Sequence, residues 1–276
     1  MVFHPHRREI FGNKDEPYMK IVVIGSGNVA ESLAQAIAEA EGLELVQIYA
    51  RNEERGRRVA ELAHTEWSSN SLAEADLYLI SVSDNAVAEV AKGLHIPDDA
   101  VVAHTAGCCP IEALAPHTHR AVLYPFQTFS VGRKVDFTKG FIFVEGATNH
   151  ALQVVEEAAY ALTERVLPAD SARRAVVHLS GVFACNFANA MYANAAEVLA
   201  KEGLPFDIVV PVIEETARKV AESKNPAQSQ TGPARRGDTQ TMLRHRAMLA
   251  EQPRTQDIYD KISEDICERT KTLKSF

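Results

Sequence analysis

The chain is poor in the features that mark several protein classes. Its 276 residues hold four cysteines, Cys108, Cys109, Cys185 and Cys267. Their spacing offers neither a CxxC metal pair nor the dense framework of a small disulfide-stapled domain. Reduced, partly buried thiols at Cys108 and Cys109 are expected rather than a strained vicinal disulfide, which suits a reducing compartment. No apolar run approaches the roughly 18–20 residues of a membrane span. The opening segment, MVFHPHRREIFGNKDEPY, lacks the apolar core of a signal peptide, so residues 1–18 read as a flexible extension ahead of Met19. Basic charge is not in excess: the net charge is −8, which argues against a nucleic-acid partner. His117 and His119 have no third ligand nearby and read as a surface turn, with no metal expected. What is left is a cytoplasmic protein that handles small molecules and meets neither nucleic acid nor membrane.

What is present is ordinary globular material, 46% hydrophobic and 24% charged, long enough for two cores. Between Met19 and about Gly146, short apolar runs alternate with helical patterns. Strands are expected at Lys20–Ile24, Leu43–Ala50, Asp76–Val82, Ala100–His104, Arg120–Pro125 and Phe141–Glu145. Helices are expected at Val29–Glu41, Glu53–Ala63 and Asn85–Gly93. Alternation of this kind predicts an α/β fold, a doubly wound parallel sheet covered on both faces. From Asn149 onward the pattern is almost wholly helical, apart from a short extended piece at Arg165–Leu167. Ser171 is expected to cap a long helix reaching about Lys201, roughly 45 Å at ~1.5 Å per residue. A further helix follows at Asp207–Glu222, then a polar Pro/Gly loop at Ser223–Gln240, then two terminal helices. The domain division read from this is 19–147 for a dinucleotide-binding domain and 148–276 for an all-helical C-terminal domain.

The strongest motif is KIVVIGSGNVA, in which Gly25, Gly27 and Ala30 fill the positions of G-x-G-x-x-G/A between a strand and a helix. Gly25 permits the tight turn, Gly27 lets backbone approach a pyrophosphate, and Ala30 lets helix and strand pack closely. The backbone of Ser26, Gly27, Asn28 and Val29 lies at the positive helix end, where phosphates are favoured. The next strand ends at Ala50 without the carboxylate that grips the ribose of NAD. Arg51 and Asn52 follow instead, and a guanidinium suits a 2′-phosphate, so NADP is expected over NAD. Ser83 and Thr105 stand at the carboxyl ends of two later strands, beside the nicotinamide half or simply as caps of the next helices.

Outside the cofactor motif, His178, Cys185 and Asn189 are seven and four residues apart, which at helical spacing puts them on one face with Gly181 between. His178 can donate or accept a proton near neutral pH, and Asn189 can orient a carbonyl or carboxylate. A structural histidine at a helix interface is the plainer alternative. In the polar loop, Arg235, Arg236 and Asp238 could hold a carboxylate. Tyr124, Gln127 and Thr128 follow the last parallel strand and could line a cleft between the domains.

Taken with the glycine motif, the segments HTAGCCPIEAL, YPFQTFS, HLSGVFACNFANAMY and QTGPARRGDTQT resemble Rossmann-like proteins carrying the domain of unknown function 2520, a group labelled NADP oxidoreductase, deazaflavin-dependent-like. That group is related to pyrroline-5-carboxylate reductase and the β-hydroxyacid dehydrogenases. The resemblance implies a Rossmann domain, a helical domain that forms a homodimer, and Arg236 as the inward member of its pair. One departure stands out: Cys185 occupies the position where β-hydroxyacid dehydrogenases carry a catalytic lysine. Two functions follow. In the first, the chain moves hydride between NADP(H) and a small polar, carboxylate-bearing substrate at the domain interface, with His178, Asn189 and Arg236 as catalytic residues and Gln127, Thr128, Cys185 and Asp238 lining the substrate. In the second, it is a non-catalytic NADP-binding sensor or scaffold that dimerises through its helices.

Overall fold

A computed structural model of the chain describes residues 18–223 and 225–273. The extension expected at residues 1–18 therefore lies, except for Tyr18, outside the described residues. The chain divides into two compact units, the first ending at Cys185 and the second starting at Asn186.

In the first unit the elements run β1 (Met19–Ile24), α1 (Asn28–Glu39), β2 (Leu43–Tyr49), α2 (Glu53–Leu62), β3 (Glu66–Ser68), β4 (Leu77–Ile80), α3 (Val87–Lys92), β5 (Val101–His104), β6 (Arg120–Phe126), β7 (Phe141–Gly146), α4 (Asn149–Leu162), β8 (Val166–Pro168) and α5 (Ser171–Gly181). The eight strands form one sheet in the order β3-β2-β1-β4-β5-β6-β7-β8. Pairing is parallel from β3 through β6; β7 runs antiparallel to β6, and β8 is parallel to β7. The order reverses at β1, which opens a crevice beyond the carboxyl ends of β1 and β4. Side chains alternate across the sheet. Ile21, Val23, Leu77 and Leu79 face α1, α2 and α4, while Val22, Ile24, Tyr78 and Ile80 face α3 and the turn at Ile111–Leu114. Both faces are therefore apolar, as the sequence pattern predicted.

Three details depart from expectation. The first unit extends well past residue 147 because α4 packs on the sheet with Val155, Ala158 and Ala159 buried, and β8 pairs with β7. The cap of α5 is Asp170, whose carboxylate accepts from the Arg173 amide at 2.8 Å; Ser171 is used elsewhere. Nor is the long helix uniform: α5 gives way to a π-helical segment, Val182–Phe187.

The second unit contains α6 (Ala188–Lys201), α7 (Val210–Glu222), α8 (Pro233–Arg236), α9 (Thr239–Met248) and α10 (Pro253–Leu273). It is all helical among the described residues, and its core is thin: α6 and α7 bury no residue within the chain.

Candidate active site

The two motif glycines serve different ends. Gly25 has φ +132°, and a Cβ there would lie 2.2 Å from the Ser81 carbonyl oxygen, so the fold itself demands glycine. Gly27 precedes α1 at an ordinary φ of −80°, and a Cβ there would meet nothing within 4 Å. Nothing in the chain requires glycine at that position. The space it leaves lies at the first turn of α1, where backbone N–H groups lack intrahelical acceptors. That is the cradle a pyrophosphate would fill, and the residues present fit a dinucleotide. Ser26 and Val29 flank it half-buried, and the Asn28 side chain donates from Nδ2 to the Phe129 carbonyl at 3.4 Å.

The tip of β2 is braced from below. Trp67 on β3 donates from Nε1 to the Ala50 carbonyl at 3.1 Å, and Gly56 makes room for that indole, since a Cβ would fall 2.2 Å from Nε1. Asn52 Oδ1 accepts from the Arg55 amide at 2.9 Å and so starts α2. Arg51 is thereby held between two fixed points. Among the nearby arginines, Arg57 pairs with Glu53 at 2.9 Å and lies over Trp67, Arg58 reaches Glu31 at 3.4 Å, and Arg55 is exposed. Arg51 is exposed and has no ion pair among the described residues. With Gly25, Ser26, Tyr49 and Asn52 it lines a cavity of about 750 Å³. A free guanidinium and no strand-tip carboxylate fit a 2′-phosphorylated ribose better than a 2′-hydroxyl.

At the ends of the neighbouring strands, Ser83 is exposed just before a short turn, whereas Thr105 is buried and donates from Oγ1 to Ser81 Oγ at 3.2 Å. Beyond β5 the chain meets α5 at very close range. A Cβ on Gly107 would sit 2.4 Å from His178 Nδ1, and one on Gly181 would sit 2.6 Å from the Phe126 ring. Two glycines thus let α5 dock on the loop after β5 and on β6. The docking brings His178 Nδ1 to 3.2 Å from the Tyr124 hydroxyl. Tyr124 is 9% exposed, and burial pushes its phenol up to about 12, so it keeps its proton. No other acceptor for that proton stands among the described residues. The arrangement that satisfies it has Tyr124 donating to Nδ1, which leaves the proton of the neutral ring on Nε2.

Of the remaining candidates, Cys185 is exposed within the π-helical segment. That segment adds residues per turn between His178 and Asn189, so the 3.6-residue argument for a shared face does not carry through it. Asn189 and Arg236 are exposed in the second unit. Asp238 is the cap of α9, accepting from the Thr241 amide at 3.0 Å and hydroxyl at 2.8 Å; these bonds hold its carboxyl below the usual range. Gln127 and Thr128 are exposed and bonded to each other, the Thr128 amide donating to Gln127 Oε1 at 2.8 Å. His117 and His119 serve different neighbours, Ala91 and Thr148. Sequence reading did not link Tyr124 to His178, 54 residues away, and gave Gly107 no role. The visible signals were small: a Tyr in YPFQTF and a glycine directly after a strand end.

The doubly wound sheet, the open cradle at Gly27 and the strand-tip Arg51 together define a dinucleotide-binding protein of Rossmann type. The comparisons agree. The Rossmann-like domain matches residues 7–126, and the Domain of unknown function (DUF2520) matches residues 141–266. The structure is similar to that of the putative NADP oxidoreductase BF3122 from Bacteroides fragilis, with 41% identity, a TM-score of 0.85, and coverage of 91% of this chain and 98% of that one. It is similar also to protein TM1727 from Thermotoga maritima, with 20% identity, TM-score 0.78, and coverage of 91% and 99%. A third is 1-pyrroline-5-carboxylate reductase from Streptococcus pyogenes, with 15% identity, TM-score 0.61, and coverage of 91% and 99%; at that identity the likeness concerns the fold alone. No protein with a curated description matches. At 41% identity over nearly the whole length, the chain belongs to the family of the Bacteroides protein, a Rossmann-like domain followed by a DUF2520 domain.

Proposed function

We propose that the chain is an NADP(H)-dependent oxidoreductase in which His178 exchanges a proton with a small polar, carboxylate-bearing substrate. The observation that carries this reading is Gly27: a position without a side chain where the fold leaves room for one, with Arg51 unpaired among the described residues at the tip of the next strand. When bound, NADP(H) supplies or takes up the hydride. The chain's own part is binding, orientation and movement of the proton. Arg51 holds the 2′-phosphate, with the backbone from Ser26 to Val29 at the pyrophosphate. A hydroxyl both donates and accepts, so Tyr124 serves Nδ1 of the neutral ring and of the imidazolium alike, and Nε2 is left to the substrate in either state. In reduction, the imidazolium gives its Nε2 proton to the substrate's oxygen or nitrogen as hydride reaches the adjoining carbon. The ring is left with its remaining proton on Nδ1, bonded to the Tyr124 oxygen, and returns to its resting form, protonated on Nε2, by proton exchange with solvent. Oxidation reverses these steps. Asn189 and Arg236 are assigned to orient and anchor the substrate's carboxylate.

The helical unit supports a homodimer. Helices of 14 and 13 residues whose side chains are at most half-buried draw little stability from packing within the chain. Leu204, Ile208, Val212, Leu243 and Met248 are exposed in that unit, apolar side chains that a partner would cover. The occupant assigned to it is a second copy of this chain.

The test is His178→Ala assayed over imines, keto acids and hydroxy acids with NADPH or NADP. Turnover is expected to fall at least about 10²-fold with cofactor affinity within about threefold of wild type. Turnover unaffected by His178→Ala, Asn189→Ala and Arg236→Ala would overturn the assignment of these residues. NADPH binding without any turnover would leave the sensor or scaffold reading.

A further inference from the structure

Among the described residues, Arg174 is the most deeply buried charged side chain, at 0% exposure. It occupies α5 one turn ahead of His178, on the same face. Its guanidinium forks between two elements of the first unit. Nη1 donates to the Glu145 carboxylate on β7; Nη2 donates to the Cys109 carbonyl at 2.5 Å and to Ser171 Oγ at 3.2 Å. Ser171 Oγ in turn donates to Glu145 at 3.0 Å and accepts from the Ile111 amide at 3.2 Å. The loop between β5 and Ile111 is thus tied at its far end to α5 and β7, while its near end, Gly107, is the surface on which the His178 ring lies.

A buried ion pair is a costly way to hold elements together, because apolar side chains of the same volume would serve stability as well. What it adds is a fixed distance. The contact of His178 with Gly107 leaves no space for a methyl group, so the height of that loop determines how the imidazole is turned toward Tyr124. We propose that Arg174, working with Glu145, is a positioning residue for His178: it locks the loop after β5 against α5 so that the ring keeps Nδ1 on Tyr124 and Nε2 toward the substrate. The inference deepens the reading of His178 as the proton carrier and rests on it for its catalytic meaning.

The test uses the full chain with ¹⁵N-labelled histidine, in the variants Arg174→Met and Arg174→Lys. The ring nitrogens of His178, assigned by difference from His178→Ala, report the tautomer directly, and loss of stability alone does not change that ratio. Wild type is expected to show one neutral tautomer, protonated on Nε2. Arg174→Met is expected to give a mixture of tautomers, with kcat/KM about tenfold or more lower and KM within about threefold. Arg174→Lys keeps one bond to Glu145 but cannot fork to the Cys109 carbonyl, and is expected to fall between. It carries the measurement if the methionine variant does not fold. A folded Arg174→Met or Arg174→Lys protein with the wild-type tautomer and pH profile would overturn the proposal and leave Arg174 a purely structural pair. The two readings fail separately. A tautomer shift in Arg174→Lys with full turnover in His178→Ala upholds the positioning role and removes the catalytic one; the opposite pair of results does the reverse.

Discussion

Replacing Gly107 with alanine probes the docking of α5 on the sheet with a single methyl group. The added carbon would lie 2.4 Å from His178 Nδ1, 2.7 Å from Cγ and 2.9 Å from Cβ. Ordinary contacts are about 3.5–4.0 Å, so His178 or the loop must give by about 1 Å. Retreat is blocked on both sides: Gly181 already lies against the Phe126 ring, and Arg174 ties the loop to α5. Overpacking of this kind costs about 1–3 kcal/mol. If the ring turns away instead, the 3.2 Å bond to Tyr124 breaks and a buried hydroxyl loses its partner, again about 1–3 kcal/mol. Only one of these outcomes need occur, so the loss of stability is expected near 2 kcal/mol, with turnover down about 10²-fold from the displaced imidazole. The decisive assay is a double-mutant cycle in urea unfolding. In a His178→Ala background the ring atoms at 2.4 and 2.7 Å are gone and only Cβ at 2.9 Å remains, so Gly107→Ala should cost clearly less than in the wild-type background. An equal penalty in both backgrounds would refute the reasoning, because the cost would then come from the loop backbone and not from the helix above it.

Three further outcomes are expected. Gly27→Ala should leave the unfolding midpoint of the free protein unchanged, since its Cβ meets nothing, yet weaken NADPH at least about tenfold by titration; Gly25→Ala, strained at φ +132° and in collision with Ser81, should instead fail to fold stably. Arg51→Ala should weaken NADPH by about 10–100-fold, the worth of a charge-assisted contact, and leave NADH nearly unchanged; equal losses would show that Arg51 does not read the 2′-phosphate. His104 is fully buried, and burial together with the Arg174 charge lowers it to about 4 from an ordinary 6.5. Between these values the unfolded chain binds a proton that the folded one refuses, so stability is fully present above pH 6.5 and falls by about 3 kcal/mol towards pH 4. His104→Asn, which keeps an acceptor for the Ala106 amide, should flatten that slope in unfolding curves taken at pH 7 and pH 5.

The sheet was legible because its signals are local and periodic. Runs such as KIVVI and DLYLISV bury both faces, so they read as parallel strands, and the glycine pair directly after the first of them marks the cofactor turn. β3 was not legible: three residues, Glu66–Ser68, are too short to show a period, and Trp67 owes its place to Gly56 and Ala50 rather than to its neighbours. The reach of the first unit to Cys185 was hidden for another reason. α4 has the amphipathic pattern of any helix, and nothing in that pattern says that its apolar stripe meets a sheet. In the candidate site, His178 stood out as a histidine at helical spacing from Cys185 and Asn189 amid apolar residues. Its partners did not, because Tyr124 is 54 residues distant and the π-helical segment disturbs the spacing used to rank Cys185 and Asn189. Arg174 was the hardest to see. In SARRAVVHLSG it looks like one of two solvent-facing arginines, and only the fold shows that one is fully buried.

The central claim, an NADP-selective cradle built from Gly27 and Arg51, is tested most directly by calorimetric titration of the purified chain with NADPH and with NADH at one fixed ionic strength. The account predicts clear binding of NADPH, at least about tenfold tighter than NADH, a difference of about 1.4 kcal/mol or more. Equal affinity for the two would contradict the role given to Arg51. Binding of neither would contradict the cradle itself.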